Sequence, residues 1–129
     1  MGQQQLLLLI LGVIIVGIAI AVGIGQFGAS SAESNKDGVT MSLVNIAANA
    51  YQFKVRPSTL GGGSNTYNGG SGYSIPPKMR ADENGTYTVS GTPSATQIAF
   101  QGTSSMNTQW TATCTADDTG KTVMTYTGW

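Results

Sequence analysis

One cysteine and no histidine in 129 residues leave this chain little with which to do chemistry. Cys114, being alone, cannot close an intrachain disulfide. Without histidine there is no zinc finger, no c-type haem attachment and no histidine-based triad. Cys114 alternates with Trp110 and Ala112 along a strand-like run, which reads as a buried core thiol rather than a nucleophile. The stretch Leu60 to Gly72, with Gly61-Gly62-Gly63 and Gly69-Gly70, lacks the strand, helix and lysine of a phosphate-cradling loop, so it is expected to be an exposed loop. Asn84-Gly85-Thr86 matches an N-glycosylation sequon, which makes Asn84 the candidate modification site. No catalytic, cofactor-binding or metal-ligating residue is assigned, and an enzyme is not expected.

Charge narrows the partners. The formal net charge is zero and 9% of residues are charged. Lys36, Lys54, Arg56, Lys78, Arg80 and Lys121 are scattered among Glu33, Asp37, Asp82, Glu83, Asp117 and Asp118. A nucleic-acid binder needs a basic face, and none is legible here. Low charge beside abundant Ser, Thr, Gly and Asn suits a surface facing the outside of a cell.

The element that must position everything else is Leu6 to Ile24, a run of Leu, Ile, Val, Ala and Gly with no polar side chain. As a helix rising ~1.5 Å per residue it spans roughly 28 Å, close to the hydrocarbon thickness of a bilayer. Its fourteen Leu, Ile and Val side chains, at ~1.5 to 3 kcal/mol each, represent roughly 20 to 40 kcal/mol of burial as an upper bound. A monomer could not leave that surface in water. A secretory signal would carry a charged region ahead of the apolar block, but the first basic residue is Lys36. A membrane anchor is normally oriented by Lys or Arg on its cytoplasmic side. A short basic leader removed from ahead of Met1 is the expected explanation for their absence.

Along the same helix Gly17, Ala21 and Gly25 fall four apart on one face, with Ala19 and Gly23 on a neighbouring stripe. Such rows let helix backbones approach closely in an apolar medium. From Gly23 to Gly38 poor helix formers accumulate, so residues 25–38 are expected to be a weak point where the helix unwinds or stretches. The helical pattern returns at Asp37. Val39, Leu43, Ile46, Ala50 and Phe53 share a stripe, while Asn45, Asn49, Gln52 and Lys54 lie elsewhere. Arg56-Pro57 ends it.

Beyond Tyr73-Ser74-Ile75-Pro76-Pro77 the pattern becomes β. Strands are expected at Thr86 to Ser90, Gln97 to Gln101, Trp110 to Ala116 and Lys121 to Trp129, with turn chemistry at Glu83-Asn84-Gly85 and Asp117-Asp118-Thr119-Gly120. The expected fold is α+β. A long N-terminal helix over 1–56, with apolar first half 6–24, glycine-rich break 25–38 and amphipathic second half 39–56, packs on a small antiparallel β head over 57–129. Threonine is expected to dominate the solvated face of that sheet.

This layout, with an uninterrupted apolar helix at the N-terminus, an amphipathic continuation, a glycine-rich loop and a C-terminal antiparallel sheet, resembles a type IV pilin or a relative in the type IV filament family. Met1 to Ile24 carries the strongest local match. The resemblance implies a prepilin peptidase that removes a basic, glycine-ended leader and methylates Met1. It also implies storage in the inner membrane and assembly by pilus machinery into a helical homopolymer on the cell surface. Gln5, Leu6, Leu9, Gly17, Ala21 and Gly25 would then make the assembly contacts, and 25–38 would lengthen as subunits pack. Two departures stand out. The family's usual glutamate at the fifth position is Gln5 here, and the disulfide-closed C-terminal region of many members is missing because Cys114 has no mate. Two other readings remain open: a single-pass anchored surface domain binding a ligand through Gly61 to Gly72, and the pseudopilin of a secretion system.

Overall fold

The structure is a computed structural model and describes residues 2–70 and 72–129. One helix, α1, runs from Gly2 to Val55. Single 3-10 turns follow at Ser58–Leu60 and Pro77–Met79. Four strands complete the chain: β1 (Gly85–Ser90), β2 (Ile98–Ser104), β3 (Thr111–Ala116) and β4 (Thr122–Thr127). They form one sheet in the order β1-β2-β3-β4, every pair antiparallel, so each strand is joined to the next by a simple reversal. The arrangement is α+β, as expected. Two compact units divide it, residues 1–33 and residues 34–129.

The expected break at 25–38 does not occur. The helix passes through it without interruption. Each glycine there costs about 1 kcal/mol against alanine and each serine less, but none removes a ladder hydrogen bond as proline would. Ile24, Gln26, Phe27, Ala29 and Ala32 separate the weak residues, and extending an existing helix is far easier than starting one. The boundary between the two compact units, at Glu33 and Ser34, still falls inside this stretch.

In the second unit the amphipathic stripe does what its spacing demands. Val39, Leu43, Ile46, Ala47 and Ala50 are buried against alternate residues of the strands, namely Tyr87, Ile98, Phe100, Ala112, Cys114 and Ala116. Tyr67, Tyr73 and Ile75 close the core from the connecting segment. Phe53 and Tyr73 meet edge to face at 5.5 Å, and Tyr73 and Phe100 at 5.8 Å. The opposite face of the sheet presents Thr86 and Thr88 to solvent, with Thr111, Thr113 and Thr115 half-buried.

The stripe is longer than its apolar members suggest. Asn35 lies four residues before Val39 and Lys54 four after Ala50, and both are buried. Lys54, placed by its type off the stripe, in fact continues it.

The segment 60–72 is a loop exposed at Leu60, Gly61, Ser64, Asn65, Asn68 and Gly70, as expected, yet it also buries three residues. Gly62 and Gly63 are buried, and Tyr67 is fully so. The segment folds back over the end of α1 and supplies the donors its last carbonyls lack. Gly63 N–H donates to Phe53 C=O (2.8 Å), Asn65 N–H to Lys54 C=O (2.6 Å) and Ser64 N–H to Arg56 C=O (3.0 Å). A side chain at Gly63 would sit 1.9 Å from the Thr66 carbonyl oxygen, so glycine is there for close approach rather than for mobility.

Candidate functional site

The apolar run of α1 is the candidate site, and its surroundings define it. Every Leu, Ile and Val from Leu6 to Ile24 is between 53% and 71% exposed, and no face of the helix is covered. The helix is long and apolar enough to cross a membrane. An apolar helix exposed all round has no protein partner of its own within the chain.

The structure places the sequence-predicted contacts on this one element. Gln5, Leu6, Leu9, Gly17, Ala21 and Gly25 all lie on α1 and all are exposed. Added Cβ atoms at Gly12, Gly17, Gly23 and Gly25 would meet nothing within 4 Å, so the row of small residues is an open surface. Met1, the expected processing and methylation site, lies outside the described residues.

Asn84 sits elsewhere, in the second unit, at the turn into β1. It is half-buried, and a Cβ built on Gly38 of α1 would lie 2.5 Å from its carboxamide. The carboxamide that would carry a glycan is therefore pressed against the helix backbone, and attaching a sugar there would require that contact to open.

The second unit carries polar clusters that hold its fold. Asn35 Nδ2 donates to the Asn84 carbonyl (2.9 Å), and the Ser104 hydroxyl donates to Asn35 Oδ1. Met106 N–H donates in turn to Ser104 Oγ (3.0 Å), so one buried amide ties α1 to both strands at the end of the β1–β2 pair where Gly85 faces Ser104. At the other end of the stripe, Lys54 Nζ donates to the Asp118 carbonyl at 2.5 Å. It lies 5.7 Å and 5.6 Å from the ring centroids of Tyr51 and Tyr67. Two aromatic faces and a carbonyl give the ammonium the electrostatic company that burial otherwise denies it. The Tyr67 hydroxyl donates to the Asp117 carbonyl (2.5 Å), fixing the same β3–β4 turn.

Asp82 is the most connected carboxylate. Its Oδ1 accepts from Asn84 N–H (2.8 Å), Gly85 N–H (3.0 Å) and the Tyr87 hydroxyl (2.8 Å), while Oδ2 accepts from the Ser42 hydroxyl (2.6 Å). Burial pushes this carboxyl up, but hydrogen bonds from Ser42, Tyr87, Asn84 and Gly85 outweigh it and hold it below the ordinary range. Such a carboxylate is spent on structure. Asp117 is similarly lowered, first by the Thr119 hydroxyl and then by backbone donors of its own turn.

Burial pushes the Cys114 thiol up to about 11, so at neutral pH it is a protonated core group. The expectation of a buried thiol holds. Burial also raises Tyr67, Tyr73 and Tyr87 to about 12 each, with the charges of Asp117 and Asp118 adding to the effect at Tyr67. Among the described residues no group of three or more Cys, Asp or Glu is placed to hold a metal ion. Beside the glycine-rich segment, a cleft of about 300 Å³ is lined by Asn49, Phe53, Arg56, Gly61, Gly72, Tyr73 and Ser74.

Asn35 and Lys54 were missed by type-based reading, although their spacing of four from Val39 and Ala50 was a usable signal. Asp82 gave none beyond its place before a turn. No family model, curated protein or solved structure matches this chain.

Proposed function

We propose that this chain is the structural subunit of an extracellular filament of the type IV pilus kind, serving surface attachment or motility. The observation that carries the reading is the fully exposed apolar run of α1, continuous in one helix with the stripe that nucleates the folded head. A bilayer satisfies that run before assembly, and a bundle of identical helices satisfies it afterwards. The transfer between them costs little because both are apolar. Gly17, Ala21 and Gly25 allow close helix approach, while Leu6 and Leu9 fill the bundle. Gln5 offers hydrogen bonds near the amine of a neighbour where relatives of this layout offer a charge.

Assembly of this kind is head to tail and does not close, which is what a long polymer requires. Residues 25–38 are helical in the isolated chain. They remain the segment of lowest helix propensity, and so the place where packing would stretch the helix at least cost. The reading includes cleavage and N-methylation by a prepilin peptidase, with the methylated amine at Met1. No catalytic step and no cofactor enters it.

Electron microscopy of material sheared from cells, or reassembled by removing detergent, tests the reading. The expected result is fibres of uniform width that disappear when Val13 and Val16 are both replaced by lysine. Dispersed, detergent-wrapped single chains under every condition would overturn it and favour a membrane-anchored binding domain. An N-terminal peptide lacking the methyl mass would remove the processing step.

A further inference from the structure

The sheet has two edges, and the fold treats them differently. At β1 the preceding segment covers half the edge. Tyr87 N–H donates outward to the Arg80 carbonyl (2.7 Å), Asp82 N–H donates to the Gly85 carbonyl (2.9 Å), and Ala81 bridges Thr86. At β4 nothing comparable happens.

The ladder fixes which β4 groups are free. Ser104 N–H donates to the Trp110 carbonyl, so the even-numbered residues of β2 bond towards β3. Following the antiparallel alternation through the register, Val123, Thr125 and Thr127 bond to Thr115, Thr113 and Thr111 of β3. Thr122, Met124 and Tyr126 therefore turn their backbone groups outward. Among the described residues no backbone hydrogen bond outside the sheet reaches those three, although the Tyr126 hydroxyl meets the Thr40 hydroxyl of α1 at 2.8 Å.

Exposed edges are usually blunted by a charge, a proline, a bulge or a cover. The sequence Thr-Val-Met-Thr-Tyr-Thr contains no charge, no proline and no glycine, and its register with β3 is free of bulges. Val123 is 60% exposed on the outer face.

We propose that β4 is a homotypic docking edge that pairs antiparallel with β4 of a second copy about a two-fold axis through Met124. The outward residues are spaced symmetrically, so self-pairing sets Met124 opposite Met124 and Thr122 opposite the second copy's Tyr126. All three outward residues then find partners, making about six new hydrogen bonds and one continuous eight-stranded sheet. The outer face gains Val123 beside the second copy's Thr125. Lys121 falls opposite the second copy's Thr127 rather than opposite its own copy, and the Lys36 ammonium, 4.3 Å from the Tyr126 ring centroid, lies at a residue that pairs with Thr122 and not with another Tyr126. The half-covered β1 edge offers only the Tyr87 carbonyl and the backbone of Val89, which makes β4 with β4 the better match.

This contact is isologous and closes at two copies, so it cannot be the one that propagates a fibre. On the filament reading it joins neighbouring fibres side by side. It holds equally for a chain that never polymerises.

The test uses full-length chains in detergent carrying Val123→Cys or Thr125→Cys. In the proposed register these positions form a non-hydrogen-bonded cross-strand pair, with Cα atoms about 4.5 Å apart, within disulfide reach. Mild oxidation of the mixture is expected to give a dimer band about tenfold stronger than either variant alone, with no higher ladder. Adding Thr122→Pro to both chains removes an outward N–H without touching the β3 ladder and should reduce the band about tenfold. In the unmodified chain, amide exchange at Met124 and Tyr126 should slow with rising protein concentration while exchange at Val89 does not. Equal bands in mixture and single variants, a ladder beyond the dimer, a band indifferent to Thr122→Pro, or slowing at Val89 alone would each overturn the proposal. Fibre formation is scored separately by microscopy, so fibres without the cross-link would refute this contact and leave the filament reading standing.

Discussion

Residues 6–24 and residues 35–54 belong to one helix, yet they are built for opposite surroundings. The first is apolar on every side, and all its large side chains are exposed. The second is mostly apolar along one stripe, buried there to near completion with Asn35 and Lys54 at its ends, and mixed elsewhere, with Met41 and Val44 exposed among polar residues. Regular backbone is common to both. What differs is the angular distribution of side chains, and that alone decides whether a helix seeks a sheet of its own chain or an apolar medium outside it.

Alkaline titration should separate the two most sharply. The phenols of Tyr67, Tyr73 and Tyr87 rise from 10.0 to about 12 in the fold. A raised folded value means their contribution is complete below the unfolded value and is lost as pH climbs from 10.0 through about 12. The head should therefore unfold over that window, seen as loss of near-ultraviolet circular dichroism. The segment 6–24 has no titratable side chain and should keep its helix and its membrane partition.

Next in size is Phe100→Ala. Phe100 is fully buried between β1 and β3, and truncation should cost about 3–5 kcal/mol of head stability. Denaturant unfolding followed by Trp110 and Trp129 fluorescence reads that loss, and extraction from membranes should be unchanged. Val16→Arg is the mirror experiment. A charge at the centre of the run should cost about 2.5–3.5 kcal/mol of insertion, measured by flotation with vesicles, and leave the head's melting temperature where it was.

Smaller effects sharpen the contrast inside the head. Asn35→Ala leaves the Ser104 hydroxyl without its acceptor and removes one of the two donors to the Asn84 carbonyl, which keeps Ser105 N–H, and should cost about 1–3 kcal/mol. Gly63→Ala forces a Cβ against the Thr66 carbonyl and should cost a similar ~1–3 kcal/mol. Asn45→Ala, on the exposed side of the same helix, should stay within about 0.5 kcal/mol of the parent.

Periodicity made most of this architecture readable. Val39, Leu43, Ile46 and Ala50 announced a buried stripe because spacings of three and four are independent of what lies opposite. The strands were readable from alternation, to within two residues at their ends except that β2 runs three residues past Gln101 to Ser104. The apolar run needed no pattern at all. What failed were inferences from residue type alone. Serines and glycines over 25–38 suggested a break, but propensities near 1 kcal/mol do not stop a helix already propagating from both sides. Glycines over 60–72 suggested exposure throughout, although Gly62 and Gly63 are buried where one backbone touches another. Lys54 is set off the apolar stripe by its type, and only the fold reveals the two tyrosine rings and the carbonyl that receive it. Which strand ends up at an unguarded edge depends on topology, a property no single strand's sequence contains.

The Asn35 knot has a mechanical corollary. Asn35 is the first buried residue met along α1 from its N-terminal side, and its carboxamide grips both the turn into β1 and the far end of β2. Tension arriving down the helix axis would load these short bonds before it reached the Val39 and Leu43 contacts behind them. The head would then hold against such a pull until this latch ruptured.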